Sequence, residues 1–127
     1  MSTSIALDQL RQIAINTKDL DRAITFYRDV LGMRFLFQAP GLGFFDCGGV
    51  RLMLSNAERT EFDHPSSILY YGVADIGQAR DALVERGVAF ESEPHVVHRA
   101  PDHDLWIGFF RDSEGNPVAI MSEVPHS

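Results

Sequence analysis

The chain repeats itself once, and no other feature constrains its fold as tightly. Asp19, Leu20 and Ala23 recur as Asp75, Ile76 and Ala79 at an offset of 56 residues, and Gly32 and Phe35 recur as Gly87 and Phe90 at 55. Further along, Phe44-Phe45 answers Phe109-Phe110 at 65, and Leu52-Met53-Leu54 answers Val118-Ala119-Ile120 at 66. Self-similarity of this length means two copies of one supersecondary unit that bury their apolar faces together. The growing offset marks one longer connection in the second copy. Copy one covers about 9–56 and copy two about 66–124. The stretch 57–65 between them is polar and charged and ends in Pro65, so it reads as a surface connection with the boundary near Asp63. A chain of 127 residues with this plan is expected to form one domain, 1–127.

Local signals agree in both copies. Arg11 to Thr17 and Ser67 to Val73 carry the β-branched and aromatic character of strands. Asp19 and Asp75 suit helix N-caps, the second with Gln78 three residues on, and Gly32 and Gly87 suit the left-handed residue that ends a helix. Leu20, Ala23, Ile24, Tyr27, Val30 and Leu31 follow helical spacing, as do Ile76, Ala79, Leu83 and Val84, so one face of each short helix covers a sheet. Tyr27 thereby reads as packing. Three strands follow each helix: Arg34 to Gln38, Gly43 to Cys47 and Val50 to Ser55, then Ala89 to Arg99, His103 to Asp112 and Pro117 to Glu123. The order βαβββ, twice, predicts an α+β fold whose two curved mixed sheets form a cup. The cup face is rich in large apolar residues, so it either holds a small ligand or packs on a second subunit.

Composition narrows the partners. Eighteen acidic against eleven basic residues give a formal charge of -7, which argues against nucleic acid, whose affinity depends on Lys and Arg. No apolar run approaches the ~20 residues of a membrane-spanning helix. Met1 to Leu10 lacks a basic start and carries Asp8 where a signal core belongs, so a cytoplasmic protein without membrane partners is expected. The single cysteine, Cys47, excludes an internal disulfide and reads as a small core residue.

The fingerprint Asp19-Leu20-x-x-Ala23, Phe26-Tyr27 and Val30-Leu31-Gly32, followed by Phe110-Arg111-Asp112-x-x-Gly115-Asn116, resembles the vicinal oxygen chelate superfamily over about Leu10 to Val124. That group includes glyoxalase I, bleomycin-resistance proteins and extradiol dioxygenases. The resemblance implies the cup, a small-molecule ligand and a homodimer. In the group's metalloenzymes, first- and last-strand side chains of each copy hold a divalent metal. Those places fall on Gln12, Ile68, Met53 and Ala119, and only Gln12 offers a hard donor. A one-residue slip at Ile68 brings Ser67 or Leu69, neither a strong ligand. The expectation is therefore no cofactor, with a divalent metal disfavoured at these places.

Pleating then predicts the cup lining: Gln12 with Asn16, Met53 with Arg51 and Ser55, Ile68 with Tyr70, and Ala119 with Pro117 and Met121. Arg51 is the only predicted cation of the lining, suited to a ligand carboxylate or phosphate, or else reaching solvent. Trp106 and Phe110 share a strand face and either stack on a planar ligand or fill the core. The densest polar run holds His95, His98, Asp102, His103 and Asp104. His95 and His98 lie on opposite faces of a regular strand unless a bulge intervenes. A four-residue loop Arg99 to Asp102 pairs His98 with His103, which makes these two the catalytic candidates as proton shuttles oriented by Asp102 or Asp104. The alternative is a solvated hairpin tip. Three functions remain open: a small-molecule-binding isomerase or lyase working by proton transfer, sequestration of a drug or metabolite without chemistry, and a lyase or dioxygenase with a relocated metal.

Overall fold

The computed structural model describes residues 5, 8–56 and 66–126. The connection expected at 57–65 lies outside the described residues. Two βαβββ repeats form two four-stranded mixed sheets that do not close into a barrel. The first sheet contains β1 (Gln12–Thr17), β2 (Arg34–Ala39), β3 (Leu42–Cys47) and β4 (Val50–Asn56), in the order β1-β4-β3-β2. The second contains β5 (Leu69–Gly72), β6 (Ser92–Arg99), β7 (His103–Arg111) and β8 (Pro117–Pro125), in the order β5-β8-β7-β6. In each sheet the first strand runs parallel to the last, and the other pairings are antiparallel.

Strand register reproduces the sequence offsets. Ala14 faces Met53, which faces Phe44; Tyr70 faces Ala119, which faces Phe109. Residues of β1, β3 and β4 thus map onto β5, β7 and β8 at 56, 65 and 66. Both caps form as expected: Arg22 N–H donates to Asp19 Oδ1 at 3.2 Å and Gln78 N–H to Asp75 Oδ1 at 3.0 Å. Gly32 and Gly87 take φ of 70° and 95°, past the helix ends.

The helices differ in one respect. α2 (Ile76–Glu85) is regular, whereas α1 (Leu20–Thr25) widens into a π turn, Phe26–Val30, in which Leu31 N–H donates to Phe26 O at 3.1 Å. One extra residue in a helical turn is what such a turn accommodates. It explains why the offset drops from 56 before the helices to 55 after them.

The helices cover one side of the sheets. Ile15, Leu20, Ala23, Ile24, Tyr27, Phe45, Leu52 and Leu54 form the first core, and Ile76, Leu83, Val88, Phe110, Val118 and Ile120 the second. Phe26, Val30 and Leu31 of copy one also pack on the second core. Polar bonds fasten the copies together: buried Tyr27 donates its hydroxyl to Asp112 Oδ2 at 2.8 Å, and Glu114 accepts the backbone N–H groups of Lys18 at 2.6 Å and Asp19 at 3.1 Å. Burial, with Asp112 beside it, drives the Tyr27 phenol far above its ordinary pKa and keeps it a neutral donor. Cys47 is half-buried at the end of β3, where burial raises its thiol pKa. Among the described residues, no helix is long and apolar enough to cross a membrane.

β6 and β7 approach closely at Gly108, where a Cβ would lie 2.9 Å from Pro94 Cγ and 3.1 Å from Pro94 N. Gly108→Ala therefore forces the strands apart and is expected to lower the urea midpoint, with a loss of about 1–3 kcal/mol. Gly77→Ala, exposed in the first turn of α2, is the control and is expected to leave stability unchanged or slightly raised.

Candidate functional site

The face opposite the helices is the candidate site. Strand parity places Ile15, Leu52, Leu54 and Phe45 in the core, so Gln12, Ala14 and Asn16 of β1, Arg51, Met53 and Ser55 of β4, and Phe44 of β3 share the other face. Copy two contributes Tyr70, Phe109, Ala119 and Met121 by the same parity. The β1 and β5 ends meet where Asn16 N–H donates to Ser66 Oγ at 3.3 Å. A large apolar surface stays open here: Phe37 is 50% exposed and stacks on Phe44 at 4.5 Å, while Tyr70 and Ile68 are 49% and 44% exposed.

At the centre of the copy-one face, Arg51 Nε donates to Gln12 Oε1 at 2.7 Å, and the guanidinium carbon lies 5.4 Å from the Phe44 ring centroid. Ring quadrupole and amide oxygen together orient the cation. Among the described residues no carboxylate lies within ion-pair distance of Arg51. Gln12 Nε2 stands 4.0 Å from Met53 Sδ, its other neighbour.

This arrangement tests the four places at which metalloenzymes of this fold hold a divalent ion. The one hard donor, Gln12 Oε1, is already engaged by a guanidinium, and a fixed cation beside an ion site opposes a second cation. Met53 is soft, and Ile68 and Ala119 carry no donor. The residues present do not fit a divalent metal there. Among the described residues, no group of three or more His, Cys, Asp or Glu is arranged to hold one elsewhere.

Two lining expectations are corrected. Trp106 lies with Phe110 on the helix side, packed against the second core. Parity settles this, because Phe109 and Phe110 sit on opposite faces and Trp106 is an even step from Phe110. Ala119 does belong to the cup face but is 0% exposed, since it pairs with both Tyr70 and Phe109, whose rings meet at 5.8 Å. Tyr70 and Phe109 therefore present the surface there, not Ala119.

The histidine segment also differs from expectation. The β6–β7 loop is Ala100 to Asp102, one residue shorter than foreseen, so Arg99 pairs with Asp104 and His98 with Leu105 rather than with His103. A register shift between Val96 and His98 supplies the bulge that brings His95, opposite Ile107, and His98, opposite Leu105, to the cup face. His103 Nδ1 donates to Asp102 Oδ1 at 2.7 Å, which holds the Asp102 carboxyl below its usual range. Asp104 binds Arg99 at 2.8 Å and, among the described histidines, His126 at 2.9 Å; chiefly the His126 bond lowers its pKa. His103 is six residues along β7 from Phe109, about 20 Å at strand rise. The Asp102–His103 pair thus sits at the outer lip. His95 is the nearer histidine, about 7 Å along the strand from the Phe109 row. Its Nδ1 meets Glu93 O at 2.8 Å, which leaves Nε2 to act as an acceptor. Of the paired shifts in β6, the first spans Pro94, a residue that marks edge strands and bulges, while the second has no such signal in the sequence.

Residues 9–120 match the family model described as the Glyoxalase/Bleomycin resistance protein/Dioxygenase superfamily. The uncharacterized protein YraH of Bacillus subtilis is 29% identical over 120 residues, covering 76% of this chain and 94% of that protein. Among solved structures, a lactoylglutathione lyase from Agrobacterium tumefaciens superposes with a TM-score of 0.71 at 24% identity, over 92% of this chain and 95% of that one. A virulence protein from Salmonella typhimurium gives 0.78 at 18% identity, over 94% of this chain and 100% of its own. At these identities the structural matches speak for the fold.

Proposed function

Given that the chain belongs to the Glyoxalase/Bleomycin resistance protein/Dioxygenase superfamily, we propose that its cup binds a small anionic organic molecule, with Arg51 supplying the positive charge and no metal at the four customary places. The observation that carries this reading is the Arg51 guanidinium, held by Gln12 at 2.7 Å and by the Phe44 ring, on a face that also presents Phe37, Met53, Tyr70 and Phe109. Guanidinium forks match carboxylates and phosphates, and the apolar floor supplies affinity for the ligand body. A cation at this point disfavours a cationic guest, and so disfavours sequestration of a basic drug despite the net charge of -7.

The test is calorimetry against a panel of small carboxylates, phosphates and organic cations at two salt concentrations. Arg51→Met is expected to weaken anion binding about tenfold or more and to flatten its salt dependence, as loss of one charge-assisted pair implies. Tighter binding of a cation by the wild-type protein, improved further by Arg51→Met, points instead to sequestration of basic compounds.

A second reading, an isomerase or lyase that moves a proton on the bound anion, is favoured by His95 rather than by His98 or His103. Its ring faces the cup with Nδ1 engaged and Nε2 available. Exchange of the ligand's acidic C–H with D2O, followed by NMR, is expected to fall in His95→Gln and to persist in His103→Gln. Exposed Leu36 and Phe37 on the edge strand β2, and Val97 on the edge strand β6, support the homodimer as part of this reading.

A further inference from the structure

The two copies are not equally well filled. By the repeat offsets, Phe26 and Tyr27 of copy one correspond to Ala82 and Leu83 of copy two, Asp112 corresponds to Cys47, Ile15 to Tyr71 and Leu31 to Arg86. Where copy one closes its joint with Tyr27 against Asp112, copy two offers shorter side chains with no such bond. A part-enclosed cavity of about 240 Å³ results, on the helix side of the second sheet, with Leu31, Val73, Leu83 and Phe110 among its apolar walls. Two residues of its wall, Tyr71 and Arg86, carry polar groups. The Tyr71 hydroxyl is buried and has no hydrogen-bond partner among the described residues, which leaves a desolvated donor of the kind that proteins normally pair. Arg86 gives one Nη1–H to Val30 O at 3.0 Å and has no carboxylate partner among the described residues, so most of its fork remains available.

We infer that this cavity is a second ligand site, separate from the cup, for a small carboxylate with a flat or branched apolar body. The volume sets the size: a cavity of about 150 Å³ takes up benzene, so this one accommodates a single ring with a short arm. Its walls supply affinity through apolar burial, and Arg86 selects the anionic end. The site does not depend on Arg51 or on the reading of the cup.

Benzoate and its neutral isostere benzamide are the probes, followed by NMR of the methyl groups of Val73, Leu83 and Ile120 at the cavity and of Met53 and Met121 at the cup. Benzoate is expected to shift the cavity methyls saturably and about tenfold more tightly than benzamide. Arg86→Gln, an exposed position, is expected to abolish that preference. Leu83→Tyr, which installs the copy-one residue, is expected to fill the cavity and remove binding while the chain stays folded by far-UV and near-UV circular dichroism. Cavity shifts are also expected to survive Arg51→Met, which separates this site from the cup. Shifts confined to Met53 and Met121, no saturable shift at all, or an undiminished preference in Arg86→Gln each overturn the proposal; should Leu83→Tyr fail to fold, the Arg86 result alone decides.

Discussion

Asp112→Ala is expected to destabilise the chain by about 3–4 kcal/mol, since the change strands four donors at once, one buried and three part-buried. Asp112 Oδ2 accepts from Tyr27 Oη at 2.8 Å and Asn116 Nδ2 at 3.2 Å, while Oδ1 accepts from the backbone N–H groups of Glu114 at 2.9 Å and Asn116 at 2.8 Å. Without the carboxylate, the Tyr27 hydroxyl is left inside a core where its residue is 1% exposed. Asp112→Asn keeps one oxygen and is expected to lose about half as much; Tyr27→Phe removes a single bond and is expected to lose about 1 kcal/mol. The double variant Tyr27→Phe/Asp112→Ala should fall short of the sum of its parts, because each substitution already breaks the shared contact. Denaturant unfolding monitored by circular dichroism checks the series, and wild-type stability in Asp112→Ala would show that this node does not tie the copies together.

Phe45→Ala is the companion experiment in copy one, with an expected loss of about 3–5 kcal/mol. Phe45 is 0% exposed and touches Phe35 edge-on at 5.3 Å and Tyr27 at 6.2 Å, so no neighbour is free to collapse into the hole. Its counterpart Phe110 borders the cavity beside Leu83 and Tyr71. Truncating Phe110 enlarges space that already exists and removes fewer contacts, so Phe110→Ala is expected to cost less than Phe45→Ala by about 1 kcal/mol. Equal losses in thermal or urea unfolding would mean that the two cores are packed alike after all.

Much of the architecture was legible because it rests on local chemistry. The Asp caps, the left-handed Gly32 and Gly87, and the paired apolar doublets each specify a backbone feature, and doubling gave every one an internal check. The π turn showed only as the slip from 56 to 55, which a loop deletion would equally produce. The site was less legible. Reading Gln12, Met53 and Arg51 onto one face needed only strand parity, and parity applied to Phe109-Phe110 would also have put Trp106 on the helix side. The second β6 shift was beyond reach, because Val96, Val97 and His98 carry no glycine or proline to announce a bulge, whereas Pro94 stood as a signal for the first. Asp112 was read as part of a family fingerprint. Its role as the acceptor for Tyr27 depends on a contact 85 residues away, which spacing alone does not reveal.

The bonds from Tyr27, Lys18 and Asp19 to the Asp112–Asn116 turn join positions 85 to 96 residues apart. A nascent polypeptide leaving the ribosome therefore emerges with its first helix complete and the acceptors for that helix still unsynthesised. Closing so wide a loop is slow. The first helix of copy one therefore gains these acceptors only once the Asp112–Asn116 turn is available to supply them.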